Sequence, residues 1–158
     1  TFSHRQRVID YIDAGRSEGA TLVCGGTVPT DPALAQGAYL LPAVFDRTAS
    51  GMRIVEEEIF GPVVAVLPFD TTEEAVALAN ATPYGLSGSI WTRDIARAVK
   101  VAKAVQTGVV SINCNNSVHI EAPFGGYRMS GLGRDLGLDG LREYTEVKNV
   151  YVDLRDPE

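Results

Sequence analysis

The chain has 158 residues, the size of one ordinary domain, and its 45% hydrophobic and 22% charged residues fit a folded protein rather than a disordered one. A formal charge of −6 disfavours nucleic acid, whose phosphates it would repel, and no apolar run approaches the roughly 20 residues of a membrane helix. Two cysteines cannot build a disulfide framework, so a reducing compartment, the cytoplasm, is the expected home.

Residues 2–18 read as a helix, with Val8, Ile9, Tyr11 and Ile12 as its apolar stripe and Gly15 and Gly19 as candidate stops. Thr21-Leu22-Val23-Cys24 follows as a short buried strand ending at Gly25-Gly26. The stretch from Thr27 to Gly37 carries Pro29, Asp31 and Pro32 without periodicity and reads as a surface loop. Tyr39 to Phe45 is strand-like, although Pro42 demotes it to an edge or a broken strand.

Glu56-Glu57-Glu58-Ile59-Phe60-Gly61-Pro62-Val63 then runs three carboxylates into an aromatic and a Gly-Pro break. The apolar run from Val63 to Phe69 reads as a strand buried on both faces. Thr71-Thr72-Glu73-Glu74 has the capping-box pattern and opens a helix through Ala75, Val76, Leu78 and Ala79, which Asn80, Pro83 and Gly85 end. Leu86 to Trp91 is the next strand. Thr92 or Asp94 caps a helix with Ile95, Ala98, Val99, Ala102 and Val105 facing inward and Gly108 as its C′ residue. Val109 to Asn113 is the third strand, so the pattern predicts two successive parallel βαβ units. From Cys114 to Gly140 periodicity lapses and glycine takes over, and a long loop in a small domain is usually functional. A short helix near Leu138 to Tyr144 precedes Glu146 to Val152, a terminal strand with little sequence left to cover it.

A carboxylate at the mouth of a buried strand packs badly, but it can accept hydrogen bonds from ligand hydroxyls at the edge of an α/β sheet. Taken alone, the acidic stretch reads as a solvated acidic turn before a strand. Gly131-Leu132-Gly133-Arg134-Asp135-Leu136-Gly137 is no dinucleotide fingerprint, because its spacing is one residue too long and no buried strand precedes it. Its glycines instead suit tight, positive-φ turns near another segment. Cys24 reads as structural. Cys114 ends a strand, where α/β active sites lie, but no histidine or helix start adjoins it to lower its pKa.

Four motifs in fixed order carry the functional signal: Glu57-Glu58-Ile59-Phe60-Gly61-Pro62-Val63, Pro83-Tyr84-Gly85-Leu86-Ser87, Pro123-Phe124-Gly125-Gly126-Tyr127-Arg128-Met129-Ser130-Gly131-Leu132-Gly133-Arg134, and Tyr144-Thr145-Glu146-Val147-Lys148. Together they resemble the C-terminal part of the NAD(P)-dependent aldehyde dehydrogenase family, over essentially the whole chain. The resemblance implies an α/β fold, a parallel twisted sheet with flanking helices. Residues 1–143 would be the C-terminal portion of the catalytic domain, and residues 144–158 an oligomerisation strand and tail. It implies oxidation of an aldehyde to a carboxylic acid through a cysteine thioester, with hydride passed to NAD or NADP.

The same resemblance assigns Glu58 to the ribose hydroxyls on the nicotinamide side, Phe60 to the nicotinamide end and Leu86 to an apolar wall there. It assigns Phe124 and the loop containing Asn115, Ser117, His119 and Glu121 to the aldehyde entrance, where polar side chains would suit a polar or cationic aldehyde. Glu146 matches a glutamate tying Arg134 to a partner subunit of a homo-dimer or homo-tetramer. Asp135 stands where the family usually has Glu, and it receives no role. The family's nucleophile lies in a Gly-Gln-x-Cys segment that does not occur here, and its general base also lies upstream of the matched region. Cys114 is then at best a neighbour of the site, and the isolated chain is expected to be inactive. A non-catalytic α/β interaction module and a part of a coenzyme A-acylating dehydrogenase are the alternative readings.

Overall fold

The first helix, α1, spans Phe2–Ser17 and begins where the Thr1 hydroxyl accepts the His4 N–H at 3.2 Å. Its buried residues Val8, Tyr11, Ile12 and Gly15 recur at helical spacing and make one face. Gly15 does not stop the helix. A Cβ there would come within 2.8 Å of Ile54 Cδ1, so glycine admits a close neighbour, and the chain turns out at Gly19 (φ +99°) instead.

That face covers a three-stranded sheet of order β1-β2-β3, with β1 at Thr21–Cys24, β2 at Ala43–Asp46 and β3 at Val63–Ala65. β1 runs antiparallel to β2, and β2 runs parallel to β3. The strand after Pro42 begins at Ala43, where the interrupting proline left it room. Ala43 and Phe45 of the central strand join Val8, Tyr11, Ile12, Ala20, Ile54 and Ile59 in the core. The short helix α2, Arg53–Glu56, delivers Ile54 to that core and was not foreseen.

Two strand expectations need correction. β1 is an edge strand, and both Val23 and Cys24 are exposed rather than buried. β3 is three residues long, and Val64 and Val66 are exposed, so it is not buried on both faces. Its partner β2 ends at Asp46, Arg47 turns away at φ +53°, and little ladder remains for Val66 to Phe69 to join. The helix α3, Thr72–Asn80, starts as expected, with Thr71 Oγ1 accepting Glu74 N–H at 3.1 Å. The Glu74 carboxylate reaches back one residue further than a capping box requires, to Asp70 N–H at 2.8 Å.

In this computed structural model, which describes residues 1–116 and 118–155, the chain divides into two compact units, Thr1–Thr82 and Pro83–Glu158. In the second unit β4, Ser87–Ile90, and β5, Val109–Ile112, pair in parallel across α4, Ile95–Ala104. This is one βαβ unit. Within the first unit β3 bonds to β2, and within the second β4 bonds to β5. The α/β class, with parallel pairing and flanking helices, stands.

Asp94 is the cap of α4, accepting Arg97 N–H at 3.0 Å. Ala98 is fully buried, but Ile95 and Val99 are exposed, since a two-stranded sheet covers only a narrow stripe of the helix. Gly108 is not a positive-φ C′ residue. A Cβ on it would lie 1.6 Å from the Gly125 carbonyl oxygen, so two backbone segments touch there.

Beyond β5 the glycine-rich stretch is organised by a bridge between Phe124 and Asp135, with both N–H···O distances 2.7 Å. Gly131, Gly133 and Gly137 all have positive φ, as the tight turns require. The last helix, α5, spans Gly137–Arg142. Residues 145–154 form no strand, and Val147, Tyr151 and Leu154 stand exposed, because a terminal strand needs a second edge to bond to. No helix among the described residues is long and apolar enough to cross a membrane.

Candidate functional site

The three carboxylates of the acidic turn are put to different uses. Glu56 Oε1 accepts the Gly51 N–H at 2.8 Å. Glu57 is claimed twice, by the Arg53 guanidinium at 2.9 Å and by the Tyr11 hydroxyl at 2.8 Å. The Arg53 hydrogen bond, then that of Tyr11, holds the Glu57 carboxyl below the usual glutamate range. Glu58 is exposed, and among the described residues its carboxylate has no hydrogen bond or ion pair.

Ile59, 8% exposed, pins the next step of the chain into the core. Phe60 then takes φ +53°, uncommon for a bulky residue, and its ring is 76% exposed. The ring meets only the edge of the His4 ring, with centroids 6.4 Å apart, and otherwise faces solvent.

In the second unit the Pro83-Tyr84-Gly85-Leu86 segment is tied down by the glycine-rich stretch. The Gly85 carbonyl accepts N–H groups from Gly108 at 3.0 Å and Tyr127 at 2.8 Å. Gly85 N–H donates to Ser130 Oγ at 3.0 Å, and Met129 N–H donates to the Pro83 carbonyl at 3.1 Å. Leu86 is thereby held at the rim of an open groove of about 420 Å³, which Phe124, Gly126, Arg134, Asp135 and Tyr144 also line. Two motifs far apart in sequence are one piece of structure, and Ser130 is the residue the sequence reading missed. Its position inside the Arg128-Met129-Ser130-Gly131 turn was the available signal.

Asn115, His119 and Glu121 are exposed and do not line that groove. Asn115 Oδ1 accepts the Ser89 hydroxyl at 3.1 Å, which anchors one end of the loop to β4. Ser117 lies outside the described residues. Arg134 does not pair with Glu146, contrary to expectation. Its guanidinium donates to the carbonyls of Gly126 at 3.0 Å and Gly133 at 2.6 Å and stacks 5.3 Å from the Tyr127 ring centroid. Glu146 sits in the exposed tail, where nothing holds it near the arginine. Asp135 uses its carboxylate locally, accepting Leu136 N–H at 2.9 Å where the chain enters α5. Cys114 and Cys24 are free and exposed.

The family model described as Aldehyde dehydrogenase family matches residues 1–150. The chain is 48% identical over 148 residues to betaine aldehyde dehydrogenase of Bacillus subtilis, covering 94% of this chain and 30% of that protein. It is 45% identical over 150 residues to human retinaldehyde dehydrogenase 3, covering 95% and 28%. Among solved structures, an aldehyde dehydrogenase of Mycobacterium tuberculosis complexed with NAD+ superposes with a TM-score of 0.92 at 41% identity, covering 100% of this chain and 32% of that one. Betaine aldehyde dehydrogenase of Staphylococcus aureus in complex with NAD+ gives 0.89 at 43% identity, covering 91% and 29%. The chain thus spans about 30% of the length of the curated relatives it matches.

Proposed function

Because this chain belongs to the aldehyde dehydrogenase family, we propose that it supplies the nicotinamide-side cofactor contact and part of the aldehyde approach of an enzyme that oxidises aldehydes to carboxylic acids. The observation that carries this reading is the division of labour in the acidic turn, where Glu58 alone of three carboxylates is left without a partner among the described residues. A carboxylate accepts both hydroxyl protons of a vicinal diol through charge-assisted bonds, which suits the ribose of NAD or NADP. The exposed Phe60 ring packs against the nicotinamide end. The cofactor, when bound, takes up the hydride that leaves the aldehyde carbon. The resemblance gives Leu86 the part of an apolar wall, and Phe124 lines the groove of the second unit that serves the substrate's approach.

The nucleophile and general base belong to other parts of the enzyme, so the 158-residue chain alone is inactive. Asn115, His119 and Glu121 tune substrate preference from the exposed loop, and Glu121 would favour a cationic aldehyde. A relative from zebrafish, 45% identical over 157 residues, is a 4-trimethylaminobutyraldehyde dehydrogenase, which supports a search among such aldehydes. The enzyme works in the cytoplasm as a homo-oligomer, with Glu146 to Val152 at its subunit contact.

The test is product analysis. The full-length protein is incubated with NAD+ or NADP+ and a panel of aliphatic, aromatic and quaternary-ammonium aldehydes, with and without coenzyme A. Free acid formed without coenzyme A is the expected result. An acyl-coenzyme A product, or no reduction of either cofactor with any aldehyde, would overturn the reading.

A further inference from the structure

One face of α1 is occupied by the acidic turn. His4, Arg7, Val8 and Tyr11 follow the i, i+3, i+4, i+7 spacing that aligns side chains along a helix. Each meets a residue of the turn. The Tyr11 hydroxyl donates to the Glu57 carboxylate at 2.8 Å, and Arg7 Nη2 donates to the Glu58 carbonyl at 3.4 Å. His4 Nε2 lies 2.7 Å from the Phe60 carbonyl oxygen, which can only accept, so Nε2 carries the proton. Val8 lies against Gly61, where a Cβ would come within 2.6 Å of its side chain, outside the order of the three hydrogen bonds.

The helix and the turn therefore run antiparallel, residue 11 on 57, 7 on 58 and 4 on 60. The shortest of these three contacts falls on Phe60, the residue of the turn with positive φ. A left-handed conformation in a bulky residue persists only where its surroundings impose it. The His4 ring also meets the Phe60 ring edge-on, with centroids 6.4 Å apart.

We propose that His4 is a positioning residue for the cofactor site, holding the Phe60 peptide in its left-handed conformation by hydrogen bonding its carbonyl, so that the Phe60 ring and the Glu58 carboxylate are preorganised for the cofactor. This rests on the reading of Glu58 and Phe60 as cofactor contacts. Preorganisation acts on affinity by removing the cost of ordering the turn on binding.

The test compares His4→Gln, which keeps an N–H donor at similar reach, with His4→Leu, which keeps bulk without a donor, in the full-length enzyme. One neutral hydrogen bond predicts that His4→Leu weakens NAD+ binding about 3- to 10-fold, while His4→Gln stays within about twofold of the parent. Aldehyde KM should be unchanged in both, and Tm should fall in His4→Leu by no more than the loss of one hydrogen bond explains. Equal NAD+ affinity in the two variants would overturn the proposal, as would a failure of His4→Leu to fold while His4→Gln folds. Glu58→Gln measured alongside separates the two ideas: if it leaves NAD+ affinity unchanged, the underlying cofactor reading fails whatever His4 does.

Discussion

At the scale of single residues, what matters is which polar groups are already spoken for. Three adjacent glutamates are chemically alike in the sequence, and only their partners distinguish Glu58 from Glu56 and Glu57. The motif singled out Glu58 in advance, but by resemblance. Local chemistry could not, because Gly51, Arg53 and Tyr11 claim the other two from elsewhere in the chain. Gly108 shows the opposite failure. Its place after a helix suggested a turn residue, whereas its role is close contact with the Gly125 carbonyl 17 positions away, which no local pattern encodes. Gly108→Ala should therefore destabilise the protein by about 1–3 kcal/mol through overpacking, read as a lower denaturant midpoint. A Gly108→Ala protein as stable as the parent would show that the two backbones can part without cost.

At the scale of elements, helices were the more legible. Their signals are local: the Thr71 and Asp94 caps and the apolar face of α1 lie within a turn or two of one another. Strand limits depend on partners, which is why β3 stops after Ala65, where β2 runs out at Asp46. The contact between α1 and α2 offers a pH test. The folded-state pKa of Glu57 is lowered by Arg53 and Tyr11, so its contribution to stability is fully present above the ordinary glutamate pKa of about 4.3. That contribution is lost as pH falls through the depressed value. Tyr11→Phe should lower Tm at neutral pH, and the difference from the parent should shrink as the solution is acidified below about pH 4. A difference that stays constant across that range would assign the effect to packing of the ring.

At the scale of the whole molecule, the exposed apolar residues say what the chain is prepared to meet. Val147, Val150, Tyr151 and Val152 crowd the solvent-exposed tail, and an unpaired extended segment of that composition favours joining another edge. The full-length enzyme should sediment as a homo-oligomer, and Tyr151→Asp should shift it toward monomer at micromolar concentration. An unchanged sedimentation coefficient would remove the tail from the contact. The family was legible in the order of four motifs, whereas Arg134, expected to meet Glu146, turns its Nη1 to the Gly126 and Gly133 carbonyls. The isolated chain should reduce neither NAD+ nor NADP+ with any aldehyde, as followed by absorbance. Turnover abolished by Cys114→Ala would reveal a nucleophile in the exposed thiol at the end of β5.

The central claim is that Glu58 is the carboxylate kept free for the cofactor ribose. Equilibrium titration of NAD+ into full-length Glu58→Gln tests it most directly, because the substitution removes the charge and leaves the shape. Loss of a charge-assisted hydrogen bond predicts Kd raised roughly tenfold to hundredfold, with Tm unchanged. The parent's Kd in the variant would contradict it.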